Sequence, residues 1–325
     1  MSKPWPQSRT RPVGAGWWLP VGMMVAATVL GGCPRPPVLR PDAAPPAAES
    51  LRPAYRETMR LAVGLPDPRG LARGADGRLY VAYARRVETL APTGETLGSF
   101  PVSGEVYGLA VGDGDRLYVG LRDHVEVYTN GGQSVATWEP LGERARLTAV
   151  AAHGDWVWAA DAGDRVVLRY DRTGRLLGKL GEKDEARGVP GLIVPSPYLD
   201  VAPAADGTLW VANPGRAQVE NYTAEGRLNL SWGQSSPSTE GFMGCCNPVA
   251  LAVLPDGSLV TAEKGVPRVK IYTPQGQLAA LVAGPESFGR RGEGLRVVGG
   301  GKGEIYVLDP AAGAVRVFEP IKEGP

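Results

Sequence analysis

Between residues 55 and 320 the apolar positions come in short bursts separated by glycine turns, and the bursts recur. One unit occurs six times: a small apolar run, a Gly-containing turn, a strand usually bearing an aromatic, a polar loop, a Val-x-x-Tyr strand and another Gly turn. The second strand reads Leu79-Tyr80-Val81, Leu117-Tyr118-Val119, Val157-Trp158-Ala159, Leu209-Trp210-Val211, Leu259-Val260-Thr261 and Ile305-Tyr306-Val307. The third carries Val87 and Leu90, Val125 and Tyr128, Val167 and Tyr170, Val219 and Tyr222, Val269 and Tyr272, Val315 and Phe318, each pair three apart. In the first five units a glycine follows four positions later, at Gly94, Gly132, Gly174, Gly226 and Gly276. Short strands bounded by turn residues predict antiparallel β-structure, and a period of about 40 to 50 residues predicts propeller blades. The expected fold is all-β, a six-bladed β-propeller.

The ends of the repeat region add a separate argument. The sixth unit stops after its third strand, at Phe318-Glu319-Pro320. Ahead of the first unit, Glu57 to Gly64 resembles an outer strand such as Gly226 to Gly233. An N-terminal strand should therefore complete the last blade, closing the ring and leaving only short, protected edges.

The apolar run, the Asp-Gly turn, the aromatic strand and the Val-x-x-Tyr-x-x-x-Gly strand resemble the NHL repeat family over residues 55–320. The fifth unit is the clearest, with Asn247-Pro248-Val249-Ala250-Leu251-Ala252-Val253 followed by Pro255-Asp256-Gly257. It departs at Val260, where most units have an aromatic. The third unit has Gly154-Asp155 in place of Asp-Gly. Both departures fall where any apolar group or turn residue serves the fold.

The first residues read as an address. Lys3, Arg9 and Arg11 form a positive region, an uncharged stretch runs from Val13 to Gly32, and Leu30-Gly31-Gly32-Cys33 resembles a bacterial lipobox. Small residues suit the extended backbone a signal peptidase must accommodate. The expectation is a signal peptide over 1–32 and lipidation of Cys33. A tether over 33–54 follows, with seven prolines from Pro34 to Pro53. In extended polyproline conformation such a segment reaches roughly 60 Å from its anchor. The propeller spans 55–320 and a short tail 321–325. The expected location is the cell envelope, lipid-anchored on the exocytoplasmic side, with the membrane as one partner. Pro34 after the cysteine, rather than Asp, resembles sorting to an outer membrane.

Charge narrows the partners. The 325-residue chain has 35 basic and 34 acidic residues, and cleavage before Cys33 leaves 32 basic against 34. A nucleic-acid binder would show a basic excess. The remaining partners are an envelope protein, a peptide or a glycan.

Candidate chemistry gathers on one face, where second-to-third loops and blade-to-blade connections emerge. The second-to-third interval is seven positions in the first two units and nine in the other four. The connections are long at Gly181–Pro197, Gln234–Asn247 and Pro285–Gly294. Cys245 and Cys246 are adjacent, and adjacent Cα atoms are only 3.8 Å apart. A disulfide there would be strained, and strained bridges are readily reduced. Three readings stay open: an ordered clip or loop tip, a redox-active pair, and a metal site. Asn247, Glu263, Lys264, Arg268, Asn213, Arg290 and Arg291 complete the candidate binding face.

Catalytic equipment is sparse. His124 and His153 are the only histidines, too few for the zinc-dependent lyases of the peptide-amidating family. Asp161, Asn213, Glu263 and Asp309 recur at similar positions in successive units. They are the weak candidates for a divalent metal such as Ca, which takes oxygen ligands. Two classes of function follow: a binding or scaffold module without a cofactor, and an enzyme or redox component, lactonase-like hydrolase or lyase, using the cysteines or a channel metal.

Overall fold

The computed structural model describes residues 54–288 and 293–321. The signal segment, Cys33, nearly all of the tether, Arg290, Arg291 and the last four residues lie outside the described residues.

Six four-stranded antiparallel sheets form the blades of a propeller. The inner strands are Gly70–Arg73, Gly108–Gly112, Leu147–His153, Asp200–Pro203, Ala250–Val253 and Arg296–Gly299. Each second strand is sandwiched between neighbouring blades and buried on both faces, as in Leu79–Tyr83 and Leu209–Asn213. That is why these strands read as continuous apolar runs rather than alternating ones. Outer strands such as Ser134–Thr137 are mostly exposed. Among the described residues, six apolar clusters fill the six spaces between adjacent blades. No described helix is long and apolar enough to cross a membrane.

The ring closes as the repeat count required. Tyr55–Ala62 pairs antiparallel with Ala314–Pro320, with Leu61 opposite Val315, and so becomes the outer strand of the sixth blade.

The repeated glycine does two things. Gly132 and Gly174 turn the chain with φ of +85° and +90°, a region that side-chain-bearing residues avoid. A Cβ at either would also lie about 2.4–2.5 Å from the Phe100 or Trp138 ring of the preceding blade. Those rings pack on the Val-x-x-Tyr tyrosine of their own next blade: Phe100 with Tyr128, and Trp138 with Tyr170, at centroid distances of 5.1 and 4.9 Å. Glycine thus lets one blade's outermost aromatic slide over the turn of the next.

Candidate functional site

The residue after the repeated valine of the third strand explains how the loops are held. It is Glu88, Glu126, Glu220, Lys270 or Arg316 in five of the blades, each buried. A buried backbone group must find a partner, and four of these side chains supply it to the connection arriving from the previous blade, while Glu220 acts through Asn213, which takes the Ile193 amide. Glu88 accepts from the Gly64 amide and Glu126 from that of Ser103. Lys270 donates to the Thr239 and Gly241 carbonyls, and Arg316 to that of Ser287. An acid stands where the loop offers N–H and a base where it offers C=O.

The four residues weighed as metal ligands belong to the same kind of support. Asp161, Asn213, Glu263 and Asp309 are all buried, but they serve their own blades rather than a common ion. Asp161 accepts the amides of Arg146 and Gly163. Asn213 accepts from Ile193 and donates to Glu220. Asp309 accepts from Ala312 and pairs with Arg316. None of the four lines the channel. Among the described residues, no group of three or more His, Cys, Asp and Glu side chains could hold a metal ion.

Glu263, Lys264, Arg268 and Asn247 build the support beneath the cysteines. Glu263, 0% exposed, pairs with Arg268 at 2.7 Å and Lys270 at 2.8 Å, and accepts the Met243 amide at 2.7 Å. Arg268 also donates to the Ser238 and Gly241 carbonyls, and the Tyr272 hydroxyl donates to that of Glu240. Burial pulls the Lys270 ammonium down to about 8, with Glu263 opposing it. Asn247, ahead of a cis peptide to Pro248, donates to the Met243 and Lys264 carbonyls and accepts the Lys264 amide. Glu263 and Arg268 are therefore loop-holding groups, closed to a ligand. Only Lys264 of this group reaches outward, its ammonium 4.3 Å from the centre of the Tyr198 ring.

The loop so fastened presents Cys245, exposed, and Cys246, half-buried. Their Sγ atoms stand 3.4 Å apart, well beyond a bond of about 2.05 Å. The expected bridge is not formed in this structure. Both line a cavity of about 370 Å³ with Met243, Lys264, Val266 and Glu293.

Glu293 also lines the neighbouring cavity, about 330 Å³, at the mouth of the central channel. Arg69, Arg146, Arg296, Tyr107 and Tyr198 converge there. Arg69 is matched by Asp67 and Glu105, the latter also taking the Tyr107 hydroxyl. Among the described residues, Arg146 and Arg296 form no ion pair within 4.0 Å. Burial pushes the Tyr198 hydroxyl up, Arg296 opposes, and Glu293 and Cys246 add to the rise. Deeper in, Asp200 accepts the amides of Val201 and Leu251. Burial raises its carboxyl above the ordinary range, with Arg296 partly offsetting.

The sequence reasoning missed these mouth and channel residues. The signal lay in the register of the repeat. Gly70, Gly108 and Ala250 stand just before the inner-strand apolar run where the other blades have Thr148, Asp200 and Arg296. The three polar members line the channel.

No protein-family model matches the chain, and no curated protein matches it in sequence. Solved structures share the fold. A streptogramin B lyase is 12% identical, with 82% of this chain and 98% of that one covered at a TM-score of 0.56. Virginiamycin B lyase from Staphylococcus aureus is 11% identical, covering 83% and 90%, at 0.55. The WD40 propeller domain of Doa1 is 13% identical, covering 80% and 81%, at 0.57. At such identities the likeness is one of fold alone.

Proposed function

We propose that this protein is an envelope-anchored lipoprotein of NHL-repeat type whose propeller binds an anionic ligand at its channel mouth. The observation that carries the reading is the pair Arg146 and Arg296, two guanidiniums that line one cavity with Tyr107, Tyr198 and Glu293 and, among the described residues, form no ion pair within 4.0 Å. Guanidinium groups match carboxylate and phosphate in a planar fork, and tyrosine rings offer flat apolar contact with a polar tip. The chemistry suits a carboxylate- or phosphate-bearing chain end of the envelope. Binding residues on loops held by a rigid scaffold are the common arrangement, and here the loops are fastened by buried charge. A histidine-dependent lyase reading finds no support at this mouth, since neither His124 nor His153 lines the channel or its opening.

Two experiments test the proposal. The full chain expressed in bacteria should incorporate labelled palmitate, and Cys33→Ser should abolish this; label that persists in the variant refutes the anchor. Calorimetric titration with an acidic oligosaccharide, its neutral counterpart and an acidic peptide tests the mouth. Losing a charge-assisted hydrogen bond costs about 1.5–3 kcal/mol, so Arg146→Ala and Arg296→Ala should each weaken acidic-ligand binding about tenfold or more. Rising salt should weaken it too. Affinity indifferent to both substitutions rejects the site.

A further inference from the structure

The loop tip beside the channel mouth raises a separate question. Met243, Cys245 and Cys246 place three sulfur-bearing side chains within four positions, all lining one cavity. The two thiols stand 3.4 Å apart, with the turn between Met243 and Cys245 made by Gly244 at φ +79°. Both ends of the segment are fastened from below. The Met243 amide is held by Glu263, and its carbonyl by Asn247, while the Gly241 carbonyl is held by Arg268 and Lys270. Buried ionic groups are costly to install, and these fasten a tip that presents three sulfur-bearing side chains to the cavity.

We propose that this tip is a binding site for a soft, monovalent cation of the Cu(I) class, ligated by the Cys245 and Cys246 thiolates with the Met243 thioether completing the set. The inference goes beyond the anionic-ligand reading and does not depend on it. Thiolate and thioether donors select soft cations. Two metal–sulfur bonds of about 2.3 Å span the observed separation at an angle of about 95°. Structural zinc sites take four ligands, which the described His, Cys, Asp and Glu residues do not assemble here. A low-coordinate cation needs no more than the three sulfurs. Charge fits as well. Binding releases two thiol protons to solvent, and two thiolates around a monovalent cation leave one net negative charge. Lys264 lines the same cavity and its ammonium offsets that charge, while Glu293 on the same wall adds to it. No electron transfer is involved.

The test is a titration of the full chain, reduced and kept anaerobic, with Cu(I) against a chromophoric Cu(I) chelator. One ion should be retained per chain, with only sulfur in the first shell by X-ray absorption. Outer-shell partners alone are typically worth about 10–100-fold in metal affinity. Cys245→Ser and Cys246→Ser should therefore each weaken retention by more than about 100-fold, with the melting temperature of the ion-free protein unchanged. Equal retention by the double variant, no retention by the unaltered chain, or loss of two hydrogens from the pair under excess reductant overturns the proposal. None of these results bears on binding at the Arg146–Arg296 mouth, which is measured separately.

Discussion

Glu57 and Arg316 stand 259 positions apart in the chain and share a charge-assisted hydrogen bond across the seam of the ring. Arg316 also reaches Asp309 and the Ser287 carbonyl, so one buried cation ties together the first strand, the last blade and the connection from the fifth blade. The seam of a propeller is its only interruption of chain continuity, and here it is bonded by side chains as well as by the strand ladder.

Arg316→Ala should therefore be far more damaging than Glu57→Gln. The first strands Asp309 as a buried carboxylate without its cation, a change that costs about 3–5 kcal/mol. The second keeps a hydrogen-bonding side chain beside Arg316 and leaves that cation its partner Asp309, so it should cost less. Deleting residues 55–64 should destabilise the whole domain, since it uncovers the outer edge of the sixth blade. Urea unfolding midpoints check the order. A deletion variant as stable as the full chain would mean that the strand is an accessory.

The same pair makes the seam sensitive to acid. Burial would raise the Glu57 carboxyl, but hydrogen bonds from Arg316 and then Arg60 overcome it and hold the carboxyl at about 2, below its ordinary 4.5. A carboxyl lowered in the folded state contributes stability that is present above the unfolded value and lost as pH falls through the folded one. The window is pH 4.5 down to 2. Amide exchange protection across Tyr55–Ala62 should decline through that window, and Glu57→Gln should flatten the decline. An identical profile in the variant places the acid sensitivity elsewhere.

The blades, their number and the closing strand were legible because each rests on spacing, and spacing is what a strand ladder enforces. Val219 and Tyr222 must be three apart to share a strand with Trp210 opposite Asn221. The loop supports were not legible. By strand alternation Lys270 reads as a solvent-facing lysine between Val269 and Ile271, yet it is fully buried. Its partners at Thr239 and Gly241 lie about thirty positions back, in a loop without period. Glu263 was visible as a candidate, but as a ligand group; nothing local shows that Arg268 and Lys270 both close on it. Thr148, Asp200 and Arg296 occupy an intermediate case, visible only once the six inner strands are set in register.

Gly174→Ala tests the interblade packing. The substitution meets a φ of +90° and a Trp138 ring atom 2.5 Å from the new Cβ. Overpacking typically costs about 1–3 kcal/mol, and the unfavourable φ adds to it. Gly178→Ala is the control, because nothing lies within 4 Å of a Cβ there. Comparable melting temperatures for the two variants would show that the Trp138 ring yields at little cost.

Glu263→Gln should separate the role of the buried ionic group from that of the tip it supports. The substitution leaves Arg268 and Lys270 facing each other without an anion, and breaking a buried pair costs about 3–5 kcal/mol. The loss should concentrate in the loop, with amide protection of residues 235–246 falling before that of the blade strands. Lys270→Met is the informative companion. The ammonium titrates at about 8 against an ordinary 10.5, so between those values the unfolded chain holds the extra proton. The cost of burying the charge is therefore fully present below pH 8 and relieved as pH rises towards 10.5. Stability of the unaltered protein relative to Lys270→Met should rise across that interval. A flat difference would mean that Glu263 keeps the ammonium charged throughout, and that the group holds the loop as a permanent ion triad.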